Sequence, residues 1–203
     1  MVRFFDGAGL GPGGGPSDVA GGPSPLLTPE EHVALAKAPK RAGWTAALGK
    51  AWNAPNTAIG AIYGGLGMGA GELAHVFAGA PEPKVFWRDN AVQFTNNPFG
   101  GVSAITLGNT TTWKGDSYDP ADGVWHDNGV PRLEPPNDLN GHTYPVHETQ
   151  HTLQGEHLGP LYLPSNILGG LNAMAHGEDW HGPHNWNEVG PQSPSATPWP
   201  AKL

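Results

Sequence analysis

The chain has 203 residues, with 31 Gly, 22 Pro, eight Trp, no Cys and a formal net charge of −8. That length suits one domain with a modest core, and the Trp content argues against disorder of the whole chain despite the Gly and Pro. Without Cys there are no disulfides, thiolate metal sites or thiol nucleophiles, so His, Asp and Glu are the available metal ligands. The acidic balance, with no Lys/Arg cluster, argues against nucleic acid as a partner.

Residues 1–25 are rich in Gly, Pro and Ser and read as a flexible arm, leaving 26–203 as the domain. The first residues hold no apolar run long enough for a secretory leader, so export would need another route. Thr28 can cap a short helix running to about Ala38, with Pro29 at its first position and Glu30 and Glu31 favouring its dipole. A second short helix is expected over 44–54.

The stretch from Thr57 to Ala80 is apolar and Gly-rich, with Gly60, Gly64 and Gly65 offering a small-residue face to a second backbone. It is long enough to raise a membrane reading, but Glu72, His75 and its seven glycines favour an internal helix and loop. Short strands are expected at Val85–Trp87 and Ala91–Phe94, and a longer one from Val102 to Trp113. Residues 114–140 read as a surface loop. A helix is expected from Thr143 to about Leu158, with Pro145 tolerated in its first turn. Residues 159–172 are apolar but broken by Pro164 and glycines, and the tail from Gln192 reads as extended.

Eight of the ten histidines follow position 125. Among them is His147-Glu148-Thr149-Gln150-His151, an H-E-x-x-H pattern. On a helix, residues four apart share a face, so two imidazoles can reach one zinc ion at about 2.0–2.1 Å. Glu148 follows the first ligand and can be directed as general base at a water in the site. The alternative for these residues is an exposed polar helix without metal.

A hydrolytic zinc site needs a third protein ligand and an open fourth position. His157 sits where the metzincin pattern places its third His, but that pattern needs Gly at 154 and this chain has Gln154. On a continuing helix His157 points about 120° away from His151. Glu188, in a stretch that Trp186 can anchor, is the favoured third ligand, with Glu178, Asp179 and His176 as alternatives. For the oxyanion of a tetrahedral intermediate, His181, His184, Tyr144 and Tyr162 are of suitable type. His184 is the choice, because Pro183 and Trp186 can fix its loop, whereas Tyr162 reads as a core residue.

The segment His147 to Gln154, followed by Leu158-Gly159-Pro160-Leu161-Tyr162-Leu163-Pro164 and preceded by Ala104 to Asn109, resembles a bacterial family of metallopeptidase-like proteins. That family includes domains attached to type VI secretion spike (VgrG) proteins and free-standing relatives. The resemblance covers roughly residues 85–199. It implies an α+β, zincin-like domain with an active-site helix, a short β-sheet and long loops. It also implies Zn2+ held by His147, His151 and a later Glu matched by Glu188, with Glu148 as base. It suggests a zinc metallopeptidase effector made in the bacterial cytoplasm and delivered into a target cell by a type VI system. Protein or peptidoglycan would be its substrate, and a spike and an immunity protein its partners. Competing readings are a closed, zinc-stabilised binding module and a membrane-active effector working through residues 57–80.

Overall fold

The computed structural model describes residues 43–101, 103–115, 117–119, 124–127, 130–131, 144–193 and 196–199. The expected arm over 1–25 and the helix from Thr28 to Ala38 lie outside them. The chain is α+β. Among the described residues, helices α1 (Gly43–Trp52) and α2 (Ala54–Ala78) come first, then strands β1 (Lys84–Arg88), β2 (Ala91–Thr95), β3 (Ala104–Leu107) and β4 (Thr110–Trp113). Three short strands follow, β5 (Ser117–Asp119), β6 (Val124–Asp127) and β7 (Val130–Pro131). Helix α3 (Tyr144–Leu158), a 3-10 turn (Gly159–Leu161) and α4 (Tyr162–Ala175) complete the regular elements among the described residues.

Helix α2 is continuous over 25 residues, where the glycines had suggested a helix and a loop. Tertiary packing overrides their low propensity. Gly60, Gly64, Gly67 and Gly71 are its buried positions after Asn56, and they let the helix lie directly on the sheet. A Cβ at Gly64 would collide with the Phe94 ring, and one at Gly60 with Thr110 and the Leu107 carbonyl. The helix stops at Gly79, whose φ of 66° suits a residue without Cβ. Gly79 N–H donates to the His75 carbonyl and Ala80 N–H to Ala74, closing the end.

The main sheet has the order β1-β2-β4-β3. β1 and β2 form an antiparallel hairpin turned by Asp89 and Asn90, both at positive φ (48° and 65°) as a two-residue hairpin loop requires. β2 and β4 are parallel, pairing Val92 with Thr110 and Phe94 with Thr112. The single strand expected over 102–113 is instead the antiparallel hairpin β3–β4, with Gly108 (φ 65°) and Asn109 at its turn. β5, β6 and β7 form a second antiparallel sheet within the stretch read as a loop. Residues 159–175 are ordered as the turn and α4, because Pro164 falls in the first helical turn and Gly169 and Gly170 are buried at close contacts. The tail is not extended over its described part: Thr197 N–H returns to the Gly190 carbonyl at 3.1 Å.

Helix α3 packs on edge strand β3 and is buried from Pro145 to Glu156, although most of those residues are polar. Internal hydrogen bonds make that burial affordable. Thr149 Oγ1 donates to the Pro145 carbonyl at 2.7 Å, and Thr152 Oγ1 to Thr149 at 2.7 Å. Glu156 accepts from Lys50 Nζ (2.6 Å), Asn90 Nδ2 (2.9 Å) and Asn109 Nδ2 (3.0 Å), joining α1, the β1–β2 turn and the β3–β4 turn to α3. Burial opposes ionisation of Glu156, but these donors hold its carboxyl below the usual carboxylate range.

The outer face of α2 is the converse of its inner one. Ile59, Ile62, Leu66, Leu73, Val76 and Phe77 are exposed, and Glu72 and His75 are the polar residues among the exposed positions of the helix. No described helix is long and apolar enough to cross a membrane.

Candidate metal centre

Helix α3 places His147 and His151 one turn apart on the face turned toward the loop after α4. That loop brings back Glu188. The ligand atoms of His147, His151 and Glu188 lie within 4.8 Å of one another, and all three residues are buried. His147 Nε2 and His151 Nε2 are 2.9 Å apart, and Glu188 Oε2 is 3.3 Å from the first and 3.6 Å from the second. A tetrahedral ion with bonds of about 2.0–2.1 Å needs ligand atoms about 3.3–3.4 Å apart, so the triangle is the right size. The donor set agrees: two ring nitrogens and a carboxylate oxygen crowd together in a buried place, which calls for a cation or shared protons between them. The residues therefore fit a divalent metal ion.

The electrostatics are those of a buried, mutually dependent set. Burial alone would push Glu188 up, yet His151 and His147 hold it well below the usual carboxylate range. Burial pushes His151 down, and Glu188, through charge and hydrogen bonding, more than reverses this and holds it above an ordinary imidazole.

The three residues and Glu148 line a cavity of about 770 Å³. Its walls include Thr106 and Leu107 of β3, Tyr144 at the start of α3, Tyr162 and Asn166 of α4, and Asp179, Trp180 and His181 of the returning loop. Tyr162 is 1 % exposed, and its ring centroid is 6.5 Å from that of His151. Burial pushes its phenol well up, with Glu188 and Glu148 adding to the effect, so it is a neutral hydroxyl at the cavity wall.

The other candidates are placed elsewhere. His157 Nδ1 faces the Leu153 carbonyl of its own helix at 2.8 Å, and His157 lines no part of the cavity. His184, expected to serve the oxyanion, is likewise outside the cavity lining. It is paired with Glu178 at 2.5 Å and stacked on His176 at 3.9 Å, so these three residues engage one another at the surface. Asp179 reaches the cavity but not the ligand cluster.

Sequence reasoning passed over Gln154 except as a missing Gly. Its Oε1 meets His151 Nδ1 at 2.9 Å, while its Nε2 donates to the carbonyls of Asn187 (2.6 Å) and Pro198 (2.8 Å). Gln192 Nε2 lies 3.4 Å from Glu188 Oε2. Comparison with known family models, curated proteins and solved structures gives no match.

Proposed function

We propose that this chain is a zinc metallopeptidase of zincin type, hydrolysing amide bonds in protein or peptidoglycan. The observation that carries the reading is the convergence of His147, His151 and Glu188 beside Glu148 on one cavity. A His₂Glu ligand set with a fourth position open to a cavity is the arrangement of hydrolytic rather than structural zinc. When bound, zinc would supply Lewis acidity to a substrate carbonyl and to water. Glu148 takes the proton of the attacking water and passes it to the leaving nitrogen. The neutral phenol of Tyr162, rather than His184, donates to the developing oxyanion. Among the described residues β3 is an edge strand of the main sheet, and it lines the cavity, so it is where an extended peptide would add a strand.

The resemblance in the 85–199 segment supports an exported bacterial effector, delivered by a type VI spike and matched by an immunity protein. The test is metal content together with hydrolysis. Purified protein should hold about one zinc per chain, Glu188→Ala should lose it, and Glu148→Gln should keep it while failing to release dye from labelled casein or peptidoglycan. A wild type without stoichiometric metal, or a Glu148→Gln as active as wild type, would refute the proposal.

A second reading concerns the outer face of α2. Its small residues pack inward and its large aliphatic ones point outward, as on a helix that meets hydrocarbon. This favours a membrane-directed step separate from the zinc site. Co-flotation with neutral liposomes that survives Glu148→Gln and is lost in Ile62→Glu/Leu66→Glu would support it, and no flotation of wild type would remove it.

A further inference from the structure

We infer that Gln154 is a positioning residue that sets His151 and Glu188 in register with each other. The inference rests on the metal-site reading above and assigns to one amide the task of joining ligands from two distant parts of the chain. Gln154 is 0 % exposed, and its side chain makes three hydrogen bonds.

The orientation of the amide follows from its partners. Asn187 and Pro198 present carbonyl oxygens, which only accept, so the NH₂ of Gln154 must face them. The amide oxygen then faces His151, and because that oxygen only accepts, His151 Nδ1 must carry the proton. In the neutral ring this leaves Nε2 with its lone pair, and Nε2 is the atom that meets His147 and Glu188. One end of Gln154 thus selects the ligating tautomer and fixes the ring plane. The other end grips the carbonyl of Asn187, the residue immediately before Glu188. The Pro198 contact ties the tail to the same point.

Metal-bound histidines ordinarily give their second ring N–H to a carboxylate, a backbone carbonyl or water. Here the acceptor is an amide whose other half holds the loop of the third ligand. A residue that kinks the chain at 154 could do neither, which accounts for Gln where the metzincin pattern has Gly.

The experiment compares wild type, Gln154→Met and Gln154→Glu by zinc competition against a chromophoric chelator, and by long-range ¹H–¹⁵N NMR of the zinc-loaded histidine rings. Gln154→Met keeps the length of the side chain and removes both contacts. It should bind zinc about 10- to 100-fold more weakly, and the slowly exchanging Nδ1–H signal of His151 should be lost. Gln154→Glu keeps an acceptor for His151 but loses the donors to Asn187 and Pro198. It should restore the Nδ1–H signal while leaving zinc binding weaker than wild type, an outcome that a merely structural role would not produce. Gln154→Met binding zinc within threefold of wild type, with the Nδ1–H signal intact, overturns the inference alone. If Gln154→Met fails to fold, Gln154→Glu decides, and wild-type affinity in that variant overturns the inference. A wild type that takes up no zinc overturns this inference and the metallopeptidase reading together.

Discussion

Replacing Asp89 by Asn should stabilise the protein at neutral pH. Asp89 sits in the β1–β2 turn, its side chain 10 % exposed, with Oδ2 3.4 Å from Arg88 Nε. Burial outweighs the attraction of Arg88 and pushes its carboxyl from 3.8 to about 6. The folded state therefore holds a proton that the unfolded chain releases, and wild type loses stability as pH rises from about 4 to about 6. At about 1.36 kcal/mol per pH unit, the loss is at most about 3 kcal/mol and is complete above pH 6. Asn keeps the shape, tolerates the φ of 48° at this position and does not titrate. The turn also touches α3 through the Asp89 carbonyl, which accepts from Thr149 Oγ1 at 3.4 Å and should be undisturbed. Melting curves of both proteins from pH 3.5 to 8, with chelator present, check this. The advantage of Asp89→Asn should be near zero at the acid end and reach roughly 6–12 °C above pH 6.5. Equal melting temperatures at pH 7.5, or an advantage as large at pH 3.5 as at 7.5, would refute the reasoning.

Three further outcomes are expected. Glu148→Gln should lower the hydrolysis rate at least about 100-fold with zinc retained, as read by single-turnover kinetics beside metal analysis. Gly64→Ala, whose methyl would strike Phe94, should destabilise by about 2 kcal/mol or more in urea unfolding, whereas Gly65→Ala, with open space around it, should be neutral or stabilising. Glu156→Ala strands Lys50, Asn90 and Asn109 and should lose about 3 kcal/mol. Because the folded Glu156 carboxyl is lowered, this contribution is present above its unfolded value. The gap between wild type and Glu156→Gln should therefore close as pH falls below about 4.

The parts of this fold that local spacing determines were legible. The H-E-x-x-H residues lie on α3 because four residues make about one helical turn, and no distant contact is needed to know it. The short strands at Val85–Trp87 and Ala91–Phe94 were likewise readable from neighbouring residues, although their pairing as a hairpin through Asp89 and Asn90 was not. The single strand assigned to 102–113 failed because the β-branched run masked the turn at Gly108 and Asn109. Helix α2 exceeded expectation because its glycines serve contacts with Phe94 and Thr110, residues 30 or more positions away. Loop side chains were the hardest. Glu188 was favoured among several carboxylates, but nothing local shows that His184 turns to Glu178 and His176 instead of the cavity. Gln154 was invisible for the same reason, since its meaning lies in carbonyls at 187 and 198.

The buried interior of the described residues is built more from Thr, Asn, Gln, Glu and His than from aliphatic side chains, while many large apolar residues stay outside. Unfolding such an interior hydrates amides and hydroxyls along with comparatively little new hydrocarbon. Polar hydration lowers the heat capacity of the opened chain where apolar hydration raises it. The increment on melting should therefore fall below the roughly 12–15 cal/mol/K per residue of ordinary domains, and free energy plotted against temperature should trace a broad, shallow arch. Such a protein would change little in robustness between cold and warm surroundings.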